Sequence, residues 1–253
     1  AERGAAHPRE VEKHFAQGKV RNYWGGSSHA TTQMLDALHY RGLLRVARRE
    51  KGIRVYGVHR HEAEPLEEAA LRARIDMLVD VAVNIYAPLP AASLPFYVRR
   101  LRYAAPQWAG EISDALRRAR ERLAHVRVEG VDWYWPNDDK PRKARTLKVV
   151  RLLAPFDPVV HDRRRFELLW GWVYRFEAYT PAPKRKLGYY ALPLLWRDRV
   201  IGWGNLAVKN GALTYEIGYV TGQPPREPAF KRELAAELER MRLFLGAKTC
   251  LTL

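Results

Sequence analysis

The sequence predicts an α+β protein, with tandem winged-helix domains over residues 1–63 and 64–137. An antiparallel β-barrel-like domain with a C-terminal helix occupies 146–253. Three observations predict it. Helix-periodic stretches followed by a strand-periodic pair occupy residues 8–58, and the same order recurs in 65–136. A polar segment, "NDDKPRKART", then closes the helix-rich half, and strand-like runs rich in Trp and Tyr dominate the remainder of the chain.

In the first stretch, "HPREVEKHF" puts Pro8 at a helix start with Val11 and Phe15 on one face. "WGGSSHATTQMLDALHYRG" offers Ser27 or Ser28 as an N-cap, Met34, Leu35 and Leu38 as the apolar stripe, and Gly42 as the stop. "LLRVARR" and "IRVYGV" alternate and are joined by "EKG", which predicts a hairpin. Helices followed by a two-stranded ribbon form the winged-helix order, whose second helix is the usual major-groove reader. That helix carries Thr32 and Gln33 on an uncharged polar face, and the ribbon carries Arg45, Arg48, Arg49, Lys51 and Arg54. A hairpin edge guarded by charge is the plainer reading of the same bases.

In the second stretch, "LEEAALRARIDMLVDVAVNIY" has acids early and Leu71, Ile75, Leu78, Val79 and Ala82 on one face. "LPAASLPFYVRRLRYA" gives a shorter helix. "AGEISDALRRARERLA" gives a third, with Ile112, Leu116 and Leu123 inward, and "HVRVEGVDWYWP" turns about Glu129-Gly130. After the linker, "LKVVRLLAP", "VYRFEAYT", "KLGYYALPLLW", "RVIGWGNLAVK" and "ALTYEIGYV" read as strands, the last two meeting at Asn210-Gly211. "EPAFKRELAAELERMRLFLG" is an amphipathic helix between Pro228 and Gly246, and "TCLTL" reads as a returning strand.

The charge narrows the partner. Lys and Arg number 44 against 28 Asp and Glu, a formal net charge of +16. An excess of that size says nothing about fold but favours a polyanion, nucleic acid before a membrane surface. A single cysteine, Cys250, excludes an internal disulfide and a Cys-rich zinc site and fits the cytoplasm. No apolar run is long enough to span a bilayer, so no membrane partner is expected. The chain opens without an initiator Met or an apolar signal core, as a trimmed protein or a piece of a longer one would.

Two stretches carry candidate binding residues. In "PFDPVVHDRRRFELLWGW", Asp162 caps a short helix whose first turn is Arg163, Arg164 and Arg165. Three bases there oppose the helix macrodipole, a cost that a bound phosphate would offset; pairing with Asp162 and Glu167 is the alternative. In "YTPAPKRKLGYYALPLLW", Tyr179, Thr180, Lys184, Arg185 and Lys186 form a basic loop stiffened by two prolines beside an apolar strand. His161 with Asp157 and Asp162 has no second His at ligand spacing, so no metal site is expected. No phosphate-cradling glycine loop or nucleophile motif is present, and neither a cofactor nor a catalytic residue is assigned.

These residues also carry a resemblance. "PFDP", "DRRR" and "YTPAPKR-x-x-GYY-x-LPLL", in that order, resemble the C-terminal part of the bacterial winged-helix crosslink-repair DNA glycosylases, the AlkZ-like and YcaQ-type family. "GLLRVARREKGIRVY" resembles that family's second winged helix. The resemblance implies tandem winged helices followed by a β-barrel, and hydrolysis of the N-glycosidic bond of N7-alkylguanine, interstrand crosslinks included, without metal or cofactor. It implies damaged or distorted double-stranded DNA as partner, bound by a monomer. The family's water-positioning Gln-x-Gln or Gln-x-Asp does not map onto Gln17, Gln33, Gln107 or Gln223. The chain is therefore expected to be either a fragment or a short homologue that supplies duplex binding and lesion access. A winged-helix transcription regulator and a structural module with incidental charge remain open alternatives.

Overall fold

The computed structural model of the chain describes residues 4–15, 18–22, 25–59, 67–140 and 146–252. The linker residues 141–145, Gln17 and the boundary at residues 63 and 64 lie outside them. The chain forms two compact units, Ala1–Val79 with Val98–Ala119, and Asp80–Tyr97 with Arg120–Leu253.

In the first unit, helix Pro8–His14 starts at His7, whose ring accepts the Arg9 N–H while Glu10 reaches back to the His7 N–H. Helix Ala30–Tyr40 comes after a short ribbon that pairs Lys19–Arg21 with Ser27–His29. The ribbon overturns the expected N-cap. Ser27 and Ser28 are strand residues, the capping position falls on His29, and Ser28 Oγ instead accepts from Gln33 Nε2 at 2.8 Å. Of the expected apolar stripe, Leu35 is buried and Leu38 half-buried, but Met34 is exposed and Thr31 is buried in its place, its hydroxyl 3.5 Å from the Phe15 carbonyl. Strands Leu44–Glu50 and Ile53–Val58 form the expected hairpin, turning at Lys51 and Gly52 with φ of 48° and 82°, and Ala5–Ala6 adds a third strand. Ile75 and Val79 of helix Glu68–Tyr86, with Ala115, Leu116 and Ala119 of helix Ile112–Arg122, are buried. Arg118 grips Asp76 through Nε and Nη2 at 2.9–3.2 Å.

The second unit holds the hairpin Ala124–Val128 and Val131–Trp135, turning at Glu129 and Gly130, with Leu89–Pro90 as third strand. Its larger part is one five-stranded sheet, in the order Thr249–Thr252, Ala212–Tyr219, Arg199–Lys209, Leu192–Trp196, Val150–Leu152. Asn210 and Gly211 make the hairpin turn with φ of 52° and 77°. Helix Pro228–Phe244 packs Phe230 against Trp196, Val150 and Leu194.

Two expectations need correction here. The sheet is not wholly antiparallel: Thr249–Thr252 runs parallel to Ala212–Tyr219, because the intervening helix carries the chain back across the sheet before the last strand begins. "VYRFEAYT", residues 173–180, is not a strand. Its Tyr174 is instead drawn into a second core with Phe166, Val160 and Val200, and its Glu177 carboxylate organises a loop.

Candidate functional site

The basic loop is built around one buried carboxylate. Glu177 is 5 % exposed, and its Oε2 accepts the backbone N–H groups of Lys186 at 2.8 Å, Leu187 at 2.7 Å and Gly188 at 3.3 Å. Asn205, on strand Arg199–Lys209, donates its amide to the Leu187 carbonyl at 2.6 Å. Gly188 is required between them. Its φ is +116°, and a Cβ there would lie 2.5 Å from the Asn205 amide. Pro181 and Pro183 pre-set φ for a single helical turn at Ala182–Lys184, and Arg185 Nε donates to the Thr180 carbonyl at 2.7 Å. The loop is thus tied at both ends before any ligand arrives. Lys184 and Lys186 are exposed, and half-buried Arg185 lies 4.9 Å from the Tyr189 ring centre.

Exposed aromatic rings flank this loop. Phe176 meets Phe156, Tyr179 and Tyr190 edge-to-face at 5.3, 6.2 and 5.0 Å between ring centres. Tyr179 is 91 % exposed. Sequence reasoning singled out Tyr179 and Thr180 but missed Phe156, Phe176, Tyr190, Glu177 and Asn205. A lone acid within "YRFEAYTPAPKRK" was the available signal for Glu177.

The arginine run divides by position. Asp157 and Asp162 cap the helices Pro158–His161 and Arg163–Trp170 through the Val159 and Arg165 N–H groups. Arg165 is 4 % exposed, and its two terminal nitrogens donate to the carbonyls of Tyr86 and Pro158. Arg163 donates to the Val160 carbonyl at 2.7 Å and the Pro155 carbonyl at 3.0 Å, and lies over the Tyr174 ring. Burial lowers the pKa of both guanidinium groups below the usual arginine range. The expectation that all three arginines meet a phosphate therefore fails for Arg165 and is poorly served by Arg163. Both guanidinium groups are spent on backbone carbonyls, of which Val160 and Pro158 lie in the preceding helical turn and Tyr86 ends helix Glu68–Tyr86, where partial negative charge favours a cation. Arg164 alone of the three is exposed.

In the first unit, Lys51 sits at the exposed hairpin turn. Arg48 pairs with Glu50 at 2.6 Å and Arg49 donates to the Gly52 carbonyl at 3.2 Å. Arg54 is held by Asp36, which also accepts from the Tyr56 hydroxyl at 2.7 Å. Thr32 is exposed, while Gln33 bonds Ser28 and the Arg21 carbonyl, within its own unit.

His161 bonds the Tyr97 hydroxyl at 2.9 Å beside stacked Tyr86. Among the described residues no group of three or more His, Cys, Asp or Glu is placed to hold a metal, and no helix is long and apolar enough to cross a membrane. A cleft of about 670 Å³ lined by Leu169, Trp170, Arg199, Ile201, Thr221 and Pro224 contains none of the candidate residues.

The family model described as "DNA glycosylase AlkZ-like" matches residues 1–244. The solved structure of the Streptomyces sahachiroi DNA glycosylase AlkZ is similar with a TM-score of 0.54 and 13 % identity, over 98 % of this chain and 65 % of that one. At that identity the likeness speaks for the fold alone, and this chain spans 65 % of that relative's length.

Proposed function

This chain belongs to the AlkZ-like DNA glycosylase family, and from that premise we propose that it binds duplex DNA in repair and gives access to a damaged or distorted site. The reading keeps the three-segment organisation, with winged helices at 1–63 and 64–137 and the sheet domain at 146–253. The family reaction in this proposal is hydrolysis of the N-glycosidic bond of N7-alkylguanine, crosslinks included. This sequence contains no Gln-x-Gln or Gln-x-Asp, so no catalytic residue is assigned within it.

One observation carries the proposal: a basic loop held in shape by a buried carboxylate. Ordering a flexible loop on binding costs free energy, and a loop already ordered avoids that cost. Lys184, Arg185 and Lys186, with Tyr179 and Thr180, are the backbone contacts. Arg164 adds a phosphate contact in the same unit, and Lys51, Arg48 and Arg49 supply the hairpin of the other. Such contacts position the protein without reading sequence.

A salt titration of duplex binding tests this. Wild type is expected to bind mixed-sequence duplex with little sequence preference and a steep fall in affinity with salt. Replacing Lys184 and Arg185 by Ala should weaken binding and reduce the log–log salt slope by about 2, at roughly 0.9 per lost phosphate contact. An unchanged slope removes the loop from the interface. A single preferred site about a thousandfold tighter than mixed sequence would favour a transcription regulator instead. Base release from N7-methylguanine duplex is expected to be absent with this chain.

A further inference from the structure

We infer that the aromatic cluster beside the basic loop is a stacking platform for an unpaired nucleobase, so that the DNA this protein prefers contains an extrahelical or unpaired nucleotide. The inference rests on the nucleic-acid reading above and specifies its substrate class.

The cluster has a fixed geometry. Phe176 is the shared ring, and Phe156, Tyr179 and Tyr190 meet it with interplanar angles of 69°, 83° and 89°. Edge-to-face contacts of this kind set ring orientation. The outer rings nevertheless stay open to solvent, Phe156 by 61 %, Tyr179 by 91 % and Tyr190 by 43 %. Tyr189 is a further exposed ring, oriented by Arg185 at 4.9 Å. Oriented, exposed and grouped aromatic rings mark a contact surface rather than core.

Charge decides what the surface contacts. Between residues 171 and 190 the bases are Arg175, Lys184, Arg185 and Lys186, and the one acid is Glu177. Glu177 is buried and spent on three backbone N–H groups, and the neighbouring Asp157 caps a helix. The patch thus offers flat apolar rings and exposed positive charge with no exposed carboxylate on the loop. A flat ring attached to a phosphate is the complementary ligand, and every nucleobase has a face that stacks on an aromatic side chain. In intact duplex those faces are covered by neighbouring base pairs. Only an unpaired, bulged or frayed nucleotide presents one.

The test compares three fluorescent DNAs: a paired duplex, the same duplex with one bulged 2-aminopurine, and the single strand. Wild type is expected to bind the bulged duplex more tightly than the paired one, with quenching of the 2-aminopurine as it stacks. Tyr179→Ala, at a position too exposed to threaten folding, should lose about 5- to 150-fold of affinity for bulged DNA. Its affinity for paired duplex should fall far less than that for bulged DNA, its salt slope should stay the same because no charge is removed, and Tyr179→Phe should restore the preference. Equal wild-type affinity for paired and bulged duplex overturns the inference, as does a Tyr179→Ala variant that keeps the preference and the quenching. Absence of salt-sensitive binding to any of the three DNAs refutes the duplex-binding reading itself, a separate outcome.

Discussion

Replacing Glu177 by Ala should loosen the basic loop more than any other single change within it. The carboxylate accepts three backbone N–H groups, two of them at 2.7 and 2.8 Å. A hydrogen bond to a charged group contributes about 1.5–3 kcal/mol net. Lys186 is exposed, so water can take its amide, but Leu187 and Gly188 are half-buried and keep an unmet donor. Against this, removing a 5 %-exposed carboxylate relieves its desolvation cost. The balance is a loss of about 2–3 kcal/mol, or a fall in melting temperature on the order of 5–10 °C for the unit carrying the sheet. Glu177→Gln keeps an acceptor oxygen and loses only the charge assistance, so it should lose about half as much. Thermal melts of both variants measure the global effect, and amide hydrogen exchange at Lys186 and Leu187 reads the bonds directly. Duplex affinity should fall in the same order, wild type, Gln, Ala, because a loosened loop must be ordered on binding. An Ala variant with wild-type protection at those two amides would refute the reasoning, whatever its melting temperature.

The placement of the arginines and of Tyr174 gives two further outcomes. Arg164→Ala should leave stability within about 0.5 kcal/mol while reducing the salt slope of duplex binding by about 0.9. Arg165→Ala should cost about 3 kcal/mol in urea melts, by stranding the carbonyls of Tyr86 and Pro158; the reverse pattern would show the two residues misassigned. The Tyr174 phenol, buried with its hydroxyl on the Ala191 carbonyl at 2.7 Å, is pushed by desolvation from 10.0 up to about 12. A raised phenol pKa favours the neutral form in the fold, so its contribution is complete below pH 10 and is lost as pH climbs toward 12. That is roughly 3 kcal/mol across the window. Tyr174→Phe should cost about 1 kcal/mol at neutral pH and show a shallower alkaline loss than wild type; parallel curves from pH 9 to 12 would contradict the assignment.

The local order of elements was legible wherever a single element decides its own structure. Turns at Lys51-Gly52, Glu129-Gly130 and Asn210-Gly211 all have positive φ at both residues, which the dipeptides announce without tertiary help. Helices Ile112–Arg122 and Pro228–Phe244 obeyed their periodicity. The readings that failed needed a distant partner. Ser28 lost its capping role to a ribbon whose other strand is Lys19–Arg21, and Val173–Thr180 had strand-like composition but commits Tyr174 to the core around Phe166 and Glu177 to the amides of a later loop. Glu177 could be read as an isolated acid, but not as the acceptor for amides about ten residues further along the chain.

The arginine run shows why composition can suggest a charged surface without locating it. An ion pair such as Arg118–Asp76 or Arg122–Asp80 withdraws one charge of each sign, so pairing leaves the excess of +16 untouched. An arginine bound to carbonyls withdraws a positive charge alone. Arg163 does so on the carbonyls of Val160 and Pro155, and Arg165 on those of Tyr86, which ends helix Glu68–Tyr86, and Pro158. A run of adjacent bases on one helical turn must point in different directions, since successive residues are about 100° apart. One of three faces solvent here, and that residue is Arg164. In the loop the opposite holds: Pro181, Pro183 and the Glu177 carboxylate hold the backbone, and Lys184 and Lys186 remain exposed. Bases available to a polyanion are therefore better sought where prolines and an internal carboxylate fix a loop than where arginines cluster at a helix start.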